Sequence, residues 1–179
     1  QNRRQMLRLY LGMLLSVLLA SLFFSGLYRF NNKYTQHTTQ PINGLLILSE
    51  ADMEQHTSRY LWHDWAYYPN VLLTPADFQD GAPDRYMTYV NLQSGNRMDL
   101  SGQSGQTQLG CGTYLLRIQV PSTRISYSLG MPEVFSAYQL YINGDPALSI
   151  GNPNPDHYRD ATGSRLVSFF PDENGMITI

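Results

Sequence analysis

Hydrophobic residues form one long uninterrupted segment near the N-terminus. From Leu9 to Tyr28 no side chain is charged, and a helix that rises 1.5 Å per residue crosses about 30 Å of hydrocarbon with this length. The pattern predicts a transmembrane helix over 9–28. The alternative is a cleaved signal peptide, whose apolar core usually covers about 7–15 residues and ends at small residues. Leu22, Phe23 and Phe24 occupy the end of this segment instead, so we expect an uncleaved anchor.

After residue 43 the apolar positions alternate with polar ones. The clearest strand is predicted over 113–120, with Tyr114, Leu116, Ile118 and Val120 on its inner face. Asn143-Gly144 indicates a type I′ turn between strands at 137–142 and 147–150. The pattern also predicts strands at 45–48, 60–67, 86–92, 124–129, 165–170 and 176–179, a short helix at 75–78 capped by Thr74 and Asp77, and loops at 93–112 and 151–164.

Many short strands, frequent turn residues and the lack of a second long helical pattern determine the expected fold class. They favour an all-β, antiparallel β-sandwich preceded by one N-terminal transmembrane helix. The expected organisation is an N-terminal segment at 1–8, the helix at 9–28, a linker at 29–43 and the β-sandwich domain at 44–179.

Charge is distributed unevenly along the chain. Residues 1–33 carry five basic and no acidic side chains, whereas residues 34–179 carry seven basic and 14 acidic ones. The basic residues before the helix favour a cytoplasmic N-terminus, which places the β-domain outside the cytoplasm. An acidic domain with scattered arginines lacks the basic surface that a phosphate backbone requires, so we expect no nucleic-acid partner.

Residues with catalytic or metal-binding chemistry are sparse. Cys111 is the single cysteine, which excludes an internal disulfide and a four-cysteine zinc site. Gly110-Cys111-Gly112 lacks the third glycine of a dinucleotide loop and precedes a strand. The four histidines are not spaced as two ligands on one helix face. We therefore expect no catalytic residue, no metal and no cofactor in this chain.

Five aromatic residues lie close together between positions 60 and 68: Tyr60, Trp62, Trp65, Tyr67 and Tyr68. Aromatic rings stack on sugars, so the cluster is a candidate ligand platform. The favoured interpretation is that alternate members fill the space between two sheets, with Trp62 and Trp65 on opposite faces. The candidate ligand-binding residues, chosen because they lie beside predicted loops, are Trp62, Trp65, Tyr68, Asn143, His157 and Tyr158.

Three segments, in this order, carry a resemblance to a known family. They are Leu61–Phe78 (LWHDWAYYPNVLLTPADF), Gly110–Val120 (GCGTYLLRIQV) and Ser136–Gly151 (SAYQLYINGDPALSIG). Together they resemble the extracytoplasmic jelly-roll, galactose-binding-like sensor domain of bacterial seven-transmembrane receptors with diverse intracellular signalling modules. The family often has a Pro-x-x-Trp segment between the first two signatures, and residues 83–100 contain no Trp.

The resemblance implies a function for the whole chain. It implies an extracytoplasmic input domain anchored in the bacterial inner membrane, which senses a carbohydrate, another small ligand or a partner protein, with a homodimer as a further expected partner arrangement. Because the chain begins at Gln1 and stops after a β-like run, we expect a fragment truncated within its last domain, with an output domain such as a histidine kinase or diguanylate cyclase beyond it.

Two other functions fit the same features. One is a non-catalytic carbohydrate-binding sandwich module of a membrane-tethered glycoside hydrolase. The other is a structural assembly domain whose loops bind neighbouring subunits. In each case this chain itself is expected to carry no catalysis.

Overall fold

A computed structural model describes residues 2–31, 38–55, 58–92 and 110–179. Most of the predicted loop at 93–112 and part of the predicted linker therefore lie outside the described residues. The chain divides into two units. The first comprises Gln1–Thr38 with His56–Tyr60, and the second, the β unit, comprises Thr39–Gln55 with Leu61–Ile179.

The first unit contains helix α1, Asn2–Asn31. The predicted helix at 9–28 is thus confirmed and is longer at both ends. The flanking residues include Arg, Gln and Met, which have high helix propensity and do not end the helix.

The described part of the β unit contains short strands, one short α-helix and two 3₁₀ helices. The helix α2 is Glu50–Gln55, and the 3₁₀ helices are Pro75–Phe78 and Pro155–His157. The strands are β1 Leu45–Ile47, β2 Trp65–Pro69, β3 Thr88–Val90, β4 Gly112–Leu115, β5 Arg117–Gln119, β6 Tyr127–Met131, β7 Tyr138–Ile142, β8 Asp145–Ile150, β9 Arg165–Phe169 and β10 Met176–Thr178.

These strands form four small sheets, with the orders β1-β5-β10, β3-β2-β4, β6-β9 and β7-β8. The protein is therefore mostly β-structure with one apolar N-terminal helix. One pair, β1 with β5, is parallel, with Leu46 opposite Ile118, whereas the sequence predicted antiparallel pairing throughout. The two strands are far apart in the chain, so no tight hairpin turn dictates their relative direction.

One buried cluster unites the β unit. Leu46 and Leu116 are fully buried and Ile177 is 1% exposed. Partly buried side chains from the smaller sheets, including Leu129, Val167 and Leu148, pack against this cluster. The buried members are Leu46, Leu48, Trp65, Leu116, Ile118, Val120, Leu140, Ile142 and Ile177. Every sheet therefore contributes to the same core.

The strand predicted over 113–120 is interrupted at Leu116. β4 pairs with β2, while β5 pairs with β1 and β10, so the two halves belong to different sheets. Between them, the Leu116 N–H donates to the Ile179 carbonyl, and the Ile179 N–H donates back, each at 2.9 Å. Ile118 and Val120 are buried as predicted, whereas Tyr114 is 37% exposed.

The β7–β8 hairpin forms as the sequence predicts. Asn143 and Gly144 have φ angles of 52° and 92°, the positive values that a type I′ turn requires. The short helix predicted at 75–78 is also present, as a 3₁₀ helix. Asp77 accepts hydrogen bonds from the Thr74 N–H at 2.7 Å and from its hydroxyl at 2.8 Å.

Two local elements in the structure are absent from the predicted ones, although short sequence motifs mark both. Asn43-Gly44 forms a second tight turn, with φ angles of 50° and 73°, and Ile42 and Leu45 exchange backbone hydrogen bonds of 2.9 and 3.1 Å. Helix α2 begins after Ser49, whose N–H donates to the Asp52 carboxylate at 2.9 Å. The Asn-Gly pair is the sequence motif that marks the turn, and the S-x-x-D capping box at Ser49–Asp52 marks the start of α2.

Candidate functional site

Helix α1 presents apolar side chains on all sides. Every side chain described on it from Arg3 to Asn31 is exposed, and the helix is long and apolar enough to cross a membrane. Leucine and phenylalanine side chains exposed to this extent are stable only when another apolar medium or surface covers them. The length, composition and position of α1 are those of a membrane anchor or of a signal sequence.

The predicted aromatic cluster is largely part of the protein interior. Trp65, Tyr67 and Tyr68 are 8%, 4% and 3% exposed, and Ala66 between them is also buried. The predicted alternation does not hold, because four consecutive residues of β2 are buried and both faces of the strand are therefore covered. The Trp65 indole N–H donates to the Leu61 carbonyl at 2.7 Å, so its polar edge is satisfied internally.

Tyr68 contacts the first 3₁₀ helix. Its ring meets Phe78 edge to face, with 5.6 Å between ring centroids. Burial raises the pKa of its hydroxyl. With 3% of its surface exposed, Tyr68 offers little area to a ligand.

Tyr67 and Tyr114 form a second aromatic contact, with ring centroids 4.7 Å apart and an interplanar angle of 32°. Burial, with a smaller contribution from Tyr67, raises the pKa of Tyr114 to about 12. Burial, followed by the neighbouring Cys111, raises the pKa of Tyr67. Both phenols are therefore neutral at physiological pH. General acid–base catalysis needs a group whose pKa lies near the working pH, and this pair does not provide one.

Asn143 is held by backbone groups of the protein. Its side-chain amide donates to the Phe170 carbonyl at 2.9 Å, and its amide oxygen accepts from the Thr178 N–H at 2.8 Å. Its backbone N–H donates to the Thr178 carbonyl at 2.8 Å. These contacts connect the β7–β8 turn to β10 and occupy the groups that a ligand would need.

His157 and Tyr158 lie at the other end of the β7–β8 hairpin from Asn143. Both are exposed, Tyr158 by 50%. His157 is the last residue of the second 3₁₀ helix. Two residues later, Arg159 forms an antiparallel bridge with Asn152, which follows the hairpin closely in the chain. The six candidate residues therefore do not converge on one site.

Trp62 is the candidate with the most polar surroundings. It lies in a group of residues from three segments that we call the Trp62 corner: Trp62, His63, Asp64, Asn43 and Asn91. Trp62 is half-buried and meets His63 edge to face, with ring centroids 6.4 Å apart. The Asp64 N–H donates to the Asn91 amide oxygen at 3.0 Å. The Asp64 carboxylate accepts from the Asn43 N–H at 3.4 Å. An aromatic ring, an imidazole, a carboxylate and the side-chain amide of Asn91 thus occupy one corner of the β unit, next to the backbone of Asn43.

Two residues of this corner have positive backbone φ angles. Asn43 and Asp64 have φ angles of 50° and 49°, in the left-handed region that Asn and Asp adopt more readily than most residues. The Gly44 N–H donates to the Asp64 carbonyl at 2.8 Å, and the Leu92 N–H donates to the Trp62 carbonyl at 2.6 Å. These bonds hold the loop against the start of β1 and the end of β3.

Sequence reasoning selected Trp62 but not Asp64, Asn43 or Asn91. A bare His-Asp dipeptide and isolated asparagines give no spacing signal, and only the pairing of β2 with β3 brings Asn91 beside Asp64. Among the residues that the structure describes, no group of three or more His, Cys, Asp or Glu side chains could hold a metal ion.

Comparisons with known proteins add no relative. No family model, no curated protein and no solved structure matches this chain.

Proposed function

We propose that this chain is a membrane-anchored extracytoplasmic input domain of a bacterial signal-transduction receptor. In this proposal α1 remains in the inner membrane, and the β unit, a jelly-roll sandwich, receives the signal outside the cytoplasm. The main support for this proposal is that one chain contains both a fully exposed apolar helix and a β unit with its own buried core.

The three segments of the family resemblance support the proposal through their positions. The first contains β2 and the first 3₁₀ helix, and the second contains β4, which pairs directly with β2. Thr113 joins them: its hydroxyl donates to the Val71 carbonyl at 2.9 Å and accepts from the Leu73 N–H at 2.7 Å. The third segment is the β7–β8 hairpin, whose Leu140 and Ile142 belong to the shared core. Segments that are distant in sequence therefore meet as one structural unit.

We further propose that the Trp62 corner binds the ligand and that the ligand is a carbohydrate. A half-buried indole offers an apolar face for a sugar ring. The second oxygen of the Asp64 carboxylate and the side-chain NH2 of Asn91 carry none of the hydrogen bonds described above, and the Asn43 side chain is exposed. These groups supply the acceptors and donors that sugar hydroxyls use. Trp65, which is buried and donates to the Leu61 carbonyl, supports the corner from within.

Single-cysteine labelling tests the membrane topology. Cys111→Ser is combined with either Gln5→Cys or Glu173→Cys in the full chain, and intact spheroplasts are treated with a membrane-impermeant maleimide. We expect labelling at residue 173 in intact spheroplasts and at residue 5 only after lysis. The reverse pattern would overturn the topology, and a membrane-free chain shortened at its N-terminus would identify α1 as a signal sequence.

A glycan array with the full chain in detergent tests the ligand. We expect Trp62→Ala to weaken binding about tenfold or more, as loss of a central aromatic contact does. Asp64→Asn keeps a residue that adopts a positive φ angle, so a change in glycan binding by this variant reports the effect of the carboxylate charge alone. Phe135→Ala, at a position that is 84% exposed and outside the corner, is the matched control. A folded chain that binds no glycan would refute the carbohydrate assignment and leave the topology result unaffected.

A further inference from the structure

Three aliphatic side chains form an exposed row at the edge of the β1-β5-β10 sheet. Ile42, Leu45 and Ile47 are 70%, 37% and 61% exposed. Ile42 and Leu45 are directly opposite across the Asn43-Gly44 turn, so their side chains lie on the same face. Leu45 and Ile47 share that face because side chains two residues apart in a strand point the same way. We call these three residues the 42–47 face.

The face belongs to the first part of the β unit to follow α1. Seven peptide steps separate Asn31, the last residue of α1, from Thr38. A chain extends by at most roughly 3.3–3.6 Å per residue, so this segment spans no more than about 25 Å in any conformation. The 42–47 face begins four residues later. Eleven peptide steps separate Asn31 from Ile42, a distance of at most about 40 Å along an extended chain, so an anchored chain allows this face to reach the bilayer surface.

The charges around the face are compatible with lipid. Arg117 is exposed and lies opposite Leu45 in the parallel β1–β5 pair, so one positive charge stands beside the apolar row. Glu50 and Asp52 begin α2 shortly after the strand, so the surroundings are not polybasic. Contact driven by the aliphatic row requires no anionic lipid.

We propose that the 42–47 face rests on the bilayer, with its side chains in the boundary between phospholipid headgroups and acyl chains. This inference rests on the proposed anchoring by α1. Buried in that boundary, the aliphatic row no longer contacts water. The Asn43-Gly44 turn within the face is bonded to Asp64 of the Trp62 corner, so the membrane contact and the proposed ligand corner share one backbone segment.

Depth-dependent quenching tests the proposal on the full chain in phosphatidylcholine vesicles. In a Cys111→Ser background, Ile47→Cys carries an environment-sensitive fluorophore, and the vesicles contain a lipid with a spin label near its headgroup. We expect quenching at residue 47 to exceed that at the controls by roughly twofold or more, since interfacial segments insert about 5–10 Å. The controls are Leu166→Cys and Phe135→Cys, at positions that are 72% and 84% exposed.

Each outcome decides the question. A chain that floats with the vesicles but shows equal quenching at residues 47, 166 and 135 would overturn the lipid contact while the anchor stands. Quenching at residue 47 only by a spin label placed on a second copy of the chain would identify the face as a self-interface and would also overturn it. A chain that does not float would overturn the anchor and the lipid contact together.

Discussion

Asn143 and Thr178 are joined by two hydrogen bonds of 2.8 Å, one from the backbone N–H of each residue. The Thr178 N–H uses the side-chain oxygen of Asn143, so the turn residue also acts as a pairing partner for β10. The amide group of the same side chain donates to Phe170. Asn143 therefore has two roles: its backbone closes a hairpin and its side chain holds a strand that is distant in sequence.

Substitutions at Asn143 separate these two roles. Asn143→Gly keeps the positive φ and removes both side-chain hydrogen bonds, and we expect a loss of about 1–3 kcal/mol in the free energy of unfolding. Asn143→Ala additionally places a Cβ in the left-handed region and should cost roughly 1 kcal/mol more. Urea denaturation of the full chain in mild detergent measures both. A glycine variant as stable as the native chain would show that the side-chain bonds contribute nothing.

Gly112 lies beneath the ring of Tyr67. A Cβ at this position would overlap Tyr67 Cε2 and approach its hydroxyl oxygen to 2.5 Å, and Tyr67 is too buried to move away. We expect Gly112→Ala to destabilise the β unit by about 1–3 kcal/mol through overpacking. Gly110→Ala is the matched control, because among the described residues its Cβ would meet only the Asn70 side chain, at 3.7 Å. Equal denaturation midpoints for the two variants would contradict the packing.

Leu116 joins the two halves of the interrupted strand and is fully buried. Leu116→Ala should lower the free energy of unfolding by about 2–5 kcal/mol, because the removed atoms leave a cavity among the other core side chains. Leu166→Ala makes the same chemical change at a position that is 72% exposed and should change stability by about 0.5 kcal/mol or less. Similar losses for both variants would argue against the core assignment. Denaturation curves of the two proteins, recorded under the same conditions, make the comparison.

The partial burial of Tyr114 predicts a loss of stability at alkaline pH. Its pKa rises from 10.0 to about 12 in the folded chain, mainly through burial. The unfolded chain therefore releases the proton first, so stability is fully present below pH 10 and falls as the pH rises towards 12. Tyr114→Phe should reduce this fall, whereas Tyr86→Phe, at a position that is 72% exposed, should not.

Thermal unfolding of the three proteins across this pH range measures the effect. The ultraviolet absorbance of tyrosinate, recorded in the folded chain, follows the titration directly. A Tyr114→Phe chain with the same alkaline profile as the native chain would show that Tyr114 does not cause the loss.

The expected and observed structures agree best where neighbouring residues decide the outcome. The apolar run from Leu9 to Tyr28 becomes helix α1 because its composition and length permit little else. The Asn143-Gly144 turn forms because these two residues tolerate positive φ. The capped turn at Pro75–Phe78 forms for a similarly local reason, the reach of Asp77 back to Thr74.

The candidate ligand residues were harder to predict. The interpretation of the aromatic cluster as core holds for Trp65, Tyr67 and Tyr68, but the predicted alternation is wrong because β2 is covered on both faces. The Trp62 corner depends on Asn91, which reaches Asp64 only through the pairing of β3 with β2. A contact of that kind leaves no periodic signal in the chain.

By itself the sequence determined the apolar helix, the tight turns, and the tendency of residues beyond 43 to form short strands. Tertiary structure alone decided that the 113–120 segment divides at Leu116, that β1 runs parallel to β5, and that Asn143 holds β10. Turn geometry and side-chain alternation act between residues a few positions apart. The direction of a distant pair, and which face of a strand is covered, depend on which segments pack together to remove the most apolar surface from water.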